Sequence, residues 1–172
     1  MCNEIDIRLV LAQPEDLDEV CALCSKVAKL TPASLWDDEY PNRQILSEDI
    51  GYKSLYKILH EGRIISIMQI RPWADQLAGE PEMAAGSWDA SIKNPCGLGR
   101  FCVTPDLQGQ GLGRRVMTAS LEKARSMGYD GAFFQAVKPN STAIHLYDSM
   151  GFHRTGEQQA YGLDFVMFEM KF

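Results

Sequence analysis

A glycine-rich turn between a predicted strand and a predicted helix constrains the fold of this chain more than any other feature. The run Gln108-Gly109-Gln110-Gly111-Leu112-Gly113 places glycine at alternate positions. An apolar strand is predicted over residues 98–103, a helix with one apolar face over 114–127, and a second apolar strand over Gly131–Val137. This order predicts a βαβ unit, in which the two strands are parallel neighbours.

The chemistry of this turn suits a phosphate group. Glycines at the start of a helix let backbone N–H groups point outward, and they leave no Cβ in the way of an anion. Arg114 and Arg115 follow directly and add positive charge to a chain whose formal net charge is −6. The alternative is a glycine-rich turn with solvated arginines. The turn does not match the dinucleotide-binding fingerprint, because Arg114 stands where its third glycine would be. It also lacks the Gly-Lys-Ser/Thr of a Walker A loop.

A second motif follows the second strand of the unit. Asn140 is a good N-cap for a helix predicted over residues 141–150, and Gly151 stops that helix. Tyr147 lies seven residues after Asn140, two helical turns along, so both residues share one side of the helix. The spacing alone favours Asn140 as a cap and Tyr147 as a core residue. The alternative is that both residues contact one extended ligand along this side of the helix.

The remaining pattern predicts antiparallel structure in the centre of the chain and at its end. Apolar runs flanking Glu61-Gly62 predict a hairpin, and a helix with a buried stripe begins at Pro14. A long loop, with room for a short helix, is expected over residues 72–95. The other predicted elements are strands over 5–11, 54–60, 63–71, 152–161 and 165–171 and a helix over 43–49.

The two motifs together resemble those of the acetyl-CoA-dependent N-acetyltransferase superfamily, GNAT. Residues 108–113 are similar to its Q-x-x-G-x-G coenzyme A motif, and residues 140–152 to its N-x-x-A-x-x-L-Y-x-x-x-G-F motif. The resemblance implies one α/β domain over residues 1–172. Its mixed, largely antiparallel sheet is splayed at a central parallel strand pair and flanked by helices. It also implies transfer of acetyl from acetyl-CoA directly to a primary amine of a small molecule or peptide.

The resemblance implies roles for individual residues. Tyr147 is the expected general acid for the departing thiolate. Family relatives often carry a glutamate near the strand before the turn, but residues 96–103 contain no carboxylate. Asp89, Glu157 and His145 are weak alternatives for the base, as is water. The residues expected to bind the cofactor are Phe101, Cys102, Val103, Gln108, Gly109, Gln110, Gly111, Leu112, Gly113, Arg114 and Asn140.

Composition narrows the function class further. The net negative charge does not attract a nucleic-acid backbone, so no nucleic acid is expected as a partner. No apolar run is long enough to span a membrane, so no membrane is expected either. Five cysteines without framework spacing, and no secretory signal, predict a cytoplasmic protein. The sequence is compatible with either a monomer or a homodimer. Cys21 and Cys24 fall on the buried stripe of the first helix, so no metal is expected. The alternatives are a coenzyme A-binding module without activity and, more remotely, a thiol-redox protein.

Overall fold

A computed structural model describes residues 5–83 and 86–172, which form twelve main elements. Short 3₁₀ turns lie between some of them, at Pro14–Asp16, Pro32–Ser34, Pro81–Met83 and Pro105–Leu107. In chain order the elements are β1 (Val10–Leu11), α1 (Leu17–Leu30), α2 (Arg43–Gly51), β2 (Leu55–His60), β3 (Arg63–Pro72), α3 (Trp73–Gly79), β4 (Pro95–Val103), α4 (Leu112–Ser126), β5 (Gly131–Val137), α5 (Ser141–Ser149), β6 (His153–Ala160) and β7 (Leu163–Lys171).

The strands form one mixed, largely antiparallel sheet in the order β1-β2-β3-β4-β5-β7-β6. β4 and β5 are parallel, with Pro95, Cys96 and Gly97 opposite Gly131, Ala132 and Phe133. The pairs β1–β2, β2–β3, β5–β7 and β6–β7 are antiparallel. The predicted sheet and its parallel pair are therefore confirmed, and so are the hairpin around Glu61-Gly62 and the βαβ unit.

Two predicted elements differ from the structure. The strand predicted over residues 5–11 is wrong for most of its length, since only Val10–Leu11 pairs, with Tyr56 and Lys57 of β2. Ile5, Ile7 and Leu9 instead pack on an apolar cluster that includes Val103 and Val116. Their alternation thus reflects burial of one side and not sheet pairing. β4 also begins at Pro95, three residues before the predicted strand.

The chain divides into two compact units. The first, here called the turn unit, contains the residues up to Gln69 together with Arg100–Ser120. Its core lies between α1, α2 and the sheet, where Val20, Leu46 and Leu55 are fully buried. The second, here called the tyrosine unit, contains Ile70–Gly99 and Leu121–Phe172.

Aromatic side chains form two groups in the tyrosine unit. Trp73, Trp88 and Phe133 pack with ring centroids 4.4–5.7 Å apart. Phe134 stacks on Phe168 at 5.4 Å and meets Tyr147 edge-on at 4.7 Å. In the described part of the chain, no helix is long and apolar enough to cross a bilayer.

Candidate active site

The glycine turn, residues 108–113, joins the end of β4 to the start of α4 in the turn unit. Gly109 and Gly111 have φ angles of 75° and 76°, a conformation that side chains rarely adopt. A Cβ built on either residue would have no heavy atom within 4 Å, so the backbone borders open space. The turn leads directly into the N-terminus of α4 at Leu112, whose side chain is buried against Val103 and Val116. This arrangement can accept a phosphate group, because N–H groups at a helix N-terminus favour an anion.

The side chains of the two glutamines in this turn contact residues that lie outside the turn but in the same unit. Gln108 Nε2 donates to the carbonyl of Val103 at 2.9 Å and contacts Thr31 Oγ1 at 3.2 Å. Gln110 Nε2 lies 3.4 Å from the carbonyl of Asp106. Gln108 therefore fixes the shape of the turn, and its direct contact with a cofactor stays a prediction.

The two arginines after the turn differ in their surroundings. Arg114 is exposed in the first turn of α4, beside the open glycine backbone. Arg115 Nη2 donates to the carbonyl of Ile5 at 2.7 Å, so its guanidinium holds the segment before β1. That Arg114 binds an anionic ligand stays a prediction of the motif.

β4 brings the predicted pantetheine residues to the same unit. Cys102 and Val103 are buried, and Phe101 is half-buried beside the cluster of Val103. Burial raises the pKa of the Cys102 thiol well above its usual value, which disfavours a thiolate nucleophile and favours direct transfer. The strand also contains a residue in left-handed conformation, Arg100, with φ 51°.

The second motif lies in the tyrosine unit. Asn140 caps α5 as predicted, because its side chain accepts a hydrogen bond from Ala143 N at 3.2 Å. Tyr147 is 7% exposed and is surrounded by the rings of Phe134, Phe152 and Phe168. Burial raises the pKa of Tyr147 far above its usual value, so the hydroxyl keeps its proton at neutral pH. A protonated hydroxyl is the state that a general acid requires.

All three weak candidates for the general base have exposed side chains. Asp89 is exposed, and hydrogen bonds from the backbone and side chain of Ser91 lower its pKa. Glu157 pairs with Lys138 at 2.7 Å, and His145 is exposed on α5. A catalytic base needs a proton affinity near neutrality, and the lowered pKa of Asp89 moves that carboxylate away from it.

Two buried carboxylates escaped the sequence analysis. Asp49 in α2 is 3% exposed, and Glu169 in β7 is 9% exposed and accepts a hydrogen bond from Asp89 N at 2.8 Å. Their positions in the sequence could have indicated burial. Asp49 is next to Ile50 and Glu169 is next to Phe168, and both apolar neighbours are buried. A charged residue within an apolar run indicates that its side chain is paired when buried, but the sequence does not show which residue it pairs with.

The two cysteines of α1 face the apolar core: Cys24 is buried and Cys21 is half-buried against it. Cys24 lies in the apolar core of the turn unit, and burial, with a smaller effect of Cys21, raises its pKa to about 12. Within residues 5–83 and 86–172, no group of three or more His, Cys, Asp or Glu side chains is arranged to hold a metal ion. These surroundings argue against a reactive Cys21–Cys24 pair.

Comparison with known proteins places the chain in a family. The model of the acetyltransferase (GNAT) family matches residues 24–152, which is most of the chain. The chain therefore belongs to the GNAT acetyltransferase family, as its two motifs suggested.

Individual relatives are similar over shorter stretches. The chain is 37% identical over 59 residues to the mycothiol acetyltransferase of Rhodococcus opacus, which covers 34% of this chain and 19% of that protein. It is 29% identical over 86 residues to the [ribosomal protein bS18]-alanine N-acetyltransferase of Escherichia coli, covering 50% of this chain and 58% of that protein. The chain thus spans less than two thirds of the length of either relative.

A solved structure extends the similarity to the whole fold. The PaiA N-acetyltransferase of Thermoplasma acidophilum, determined in complex with coenzyme A, superposes with a TM-score of 0.70 at 16% sequence identity. The superposition covers 98% of this chain and 100% of that one. At this identity the likeness concerns the fold.

Proposed function

We propose that this protein is an N-acetyltransferase that moves acetyl from acetyl-CoA directly to a primary amine of a small molecule or peptide. The observation that carries the proposal is the open glycine backbone of the turn unit, where Gly109 and Gly111 precede the N-terminus of α4. Membership of the GNAT family supports the same chemistry.

The residues of the turn unit would bind and orient acetyl-CoA. The N–H groups of residues 109–113 and the guanidinium of Arg114 would hold the pyrophosphate, and the backbone of residues 101–103 would pair with the pantetheine arm. Acetyl-CoA supplies an activated thioester. Anchoring its charged end fixes where the thioester lies, which reduces the entropy lost on reaching the transition state.

Tyr147 would act as the general acid. As the amine nitrogen bonds to the acetyl carbon and the C–S bond breaks, the phenol hydroxyl of Tyr147 gives its proton to the leaving sulfur. Burial keeps Tyr147 protonated at neutral pH, but the same rise in pKa makes the phenol a weaker acid, so its proton is transferred only as charge develops on the sulfur. With no carboxylate at residues 96–103, water takes one proton of the incoming ammonium before attack in this proposal. The second proton, which the nitrogen loses as the amide forms, returns the Tyr147 phenolate to its hydroxyl form.

A binding assay and a transfer assay test the proposal. Calorimetry with acetyl-CoA and with NADH should show binding of the first alone, because the turn lacks the third glycine of a dinucleotide site. Release of free thiol is then measured with amines, polyamines, aminoglycosides and peptide N-termini, and mass spectrometry identifies the acetylated product. Binding of NADH without binding of acetyl-CoA would overturn the proposal.

A second candidate function follows from the missing carboxylate in residues 96–103. Without a base on the strand, the chain could bind coenzyme A and lack transferase activity. Acetyl-CoA binding together with no thiol release for any amine, at any pH up to that where the amines are neutral, would favour this alternative.

A further inference from the structure

Arg100 has an unusual backbone conformation for a residue within a strand. Its φ of 51° lies in the left-handed region, although β4 extends on both sides, from Pro95 to Val103. A side chain makes this conformation unfavourable, so it persists only where the surroundings impose it. Gly99, the preceding residue, could adopt this conformation without that cost, yet it is Arg100 that has the positive φ.

The side chain of Arg100 is clamped by two other elements of the turn unit. Its Nε donates to Asp49 Oδ2 of α2 at 3.0 Å, and the two side chains are only 10% and 4% exposed. Gln69 Nε2 of β3 donates to the other carboxylate oxygen, Asp49 Oδ1. The guanidinium also donates to the hydroxyl of Tyr40 and lies 5.1 Å from the centre of that ring.

This clamp acts at one particular point of β4. The left-handed residue sets the direction in which the chain continues into Phe101, Cys102 and Val103. A glycine would leave that direction free, whereas a buried, charge-assisted pair fixes it. We propose that Arg100 is a positioning residue for acetyl transfer: held by Asp49 and Tyr40, it orients the backbone of residues 101–103 toward acetyl-CoA.

This inference rests on the proposed function, and glycine substitutions test it. Arg100→Gly keeps the left-handed conformation accessible but removes the clamp, and adding Asp49→Asn removes the buried negative charge that Arg100 balanced. The matched control is Glu61→Gly, because Glu61 has nearly the same φ, 50°, in the turn between β2 and β3. Arg100→Gln, with an uncharged side chain, provides a second variant in case the double variant fails to fold.

Three measurements separate positioning from a purely structural role. Thermal unfolding without ligand reports stability, calorimetry reports the Kd of acetyl-CoA, and steady-state assays with the best amine report kcat and KM. We expect the folded double variant and Arg100→Gln to bind acetyl-CoA about tenfold or more weaker and to lose at least as much in kcat/KM. Glu61→Gly should match the wild type in both.

The possible outcomes are distinct. If either folded Arg100 variant has the wild-type Kd and kcat/KM, Arg100 does not position β4, and the inference is overturned while the proposed function stands. Equal losses in Glu61→Gly would also overturn it, since the effect would then come from general loosening. If the wild type itself neither binds acetyl-CoA nor acetylates any amine, the proposed function fails, and this inference fails with it.

Discussion

Gly111 and Gly62 have the same backbone conformation, but only Gly111 belongs to the glycine turn. Both have a φ of 76°, and a Cβ on either would have no heavy atom within 4 Å. Substitution by aspartate at each position therefore imposes a similar backbone cost and no clash within the chain. Gly111→Asp adds a negative charge where the pyrophosphate is proposed to bind, and Gly62→Asp adds it to the β2–β3 turn.

The two variants should differ in binding and not in stability. A side chain in the left-handed region costs roughly 1–2 kcal/mol, and less for aspartate, which tolerates that region. An aspartate at the start of α4 also interacts favourably with the helix dipole. By contrast, two like charges about 4 Å apart repel by about 1 kcal/mol in water and about 4 kcal/mol at a protein surface. That range corresponds to an acetyl-CoA affinity between about fivefold and about a thousandfold weaker.

Calorimetry and thermal unfolding test this prediction. Both variants should unfold cooperatively with Tm values close to each other, and only Gly111→Asp should lose acetyl-CoA affinity. Wild-type affinity in a folded Gly111→Asp protein would remove the glycine turn from the proposed site. Equal loss of affinity in Gly62→Asp would show that the effect is not local.

Three further predictions concern single side chains. Tyr147→Phe keeps the ring among its aromatic neighbours and should lower kcat by about 10²- to 10⁴-fold with little change in acetyl-CoA affinity, whereas a fall below about threefold in kcat would contradict an acid role. Asn140→Ala removes the cap of α5 and should lower the free energy of unfolding by about 1 kcal/mol in a denaturant titration, and an unchanged midpoint would contradict the cap. Burial opposes the charge of Asp16, but hydrogen bonds from Lys57 and from the backbone of Gln13 outweigh burial and lower its pKa below 3.8. The stability from this shift is complete above that pH and is lost as the pH falls through the folded pKa, so the Tm advantage over Asp16→Asn should shrink below about pH 4.

Elements with a local signal were predictable from the sequence. The structure has the strand predicted over Gly131–Val137. A short apolar run bounded by turn residues is typical of a buried strand. The N-cap at Asn140 and the positive φ angles of Gly109 and Gly111 likewise follow from properties of the residues themselves. The position of the glycine turn therefore follows from the sequence alone.

Features that depend on distant partners were not predictable. Asp49 and Arg100 lie 51 positions apart, and nothing near either residue identifies the other. Alternation in residues 5–9 predicted pairing, but alternation records only which side of a segment is buried. The short helix allowed within residues 72–95 is α3, but its position depends on contacts of Trp73 with Trp88 and Phe133, which the sequence does not reveal.

The hydrogen bonds of Gln108 affect both the rate at which the turn binds a ligand and the entropy lost on binding. Its amide joins the end of β4 to the turn through the carbonyl of Val103, and Thr31, at the end of α1, contacts the same amide. Lys26 of α1 also pairs with Asp106, just before the turn. The conformational entropy of ordering this loop is therefore lost when the protein folds and not when an anion arrives. Association should then need no loop rearrangement, and mutation of Gln108 should slow binding more than it speeds release.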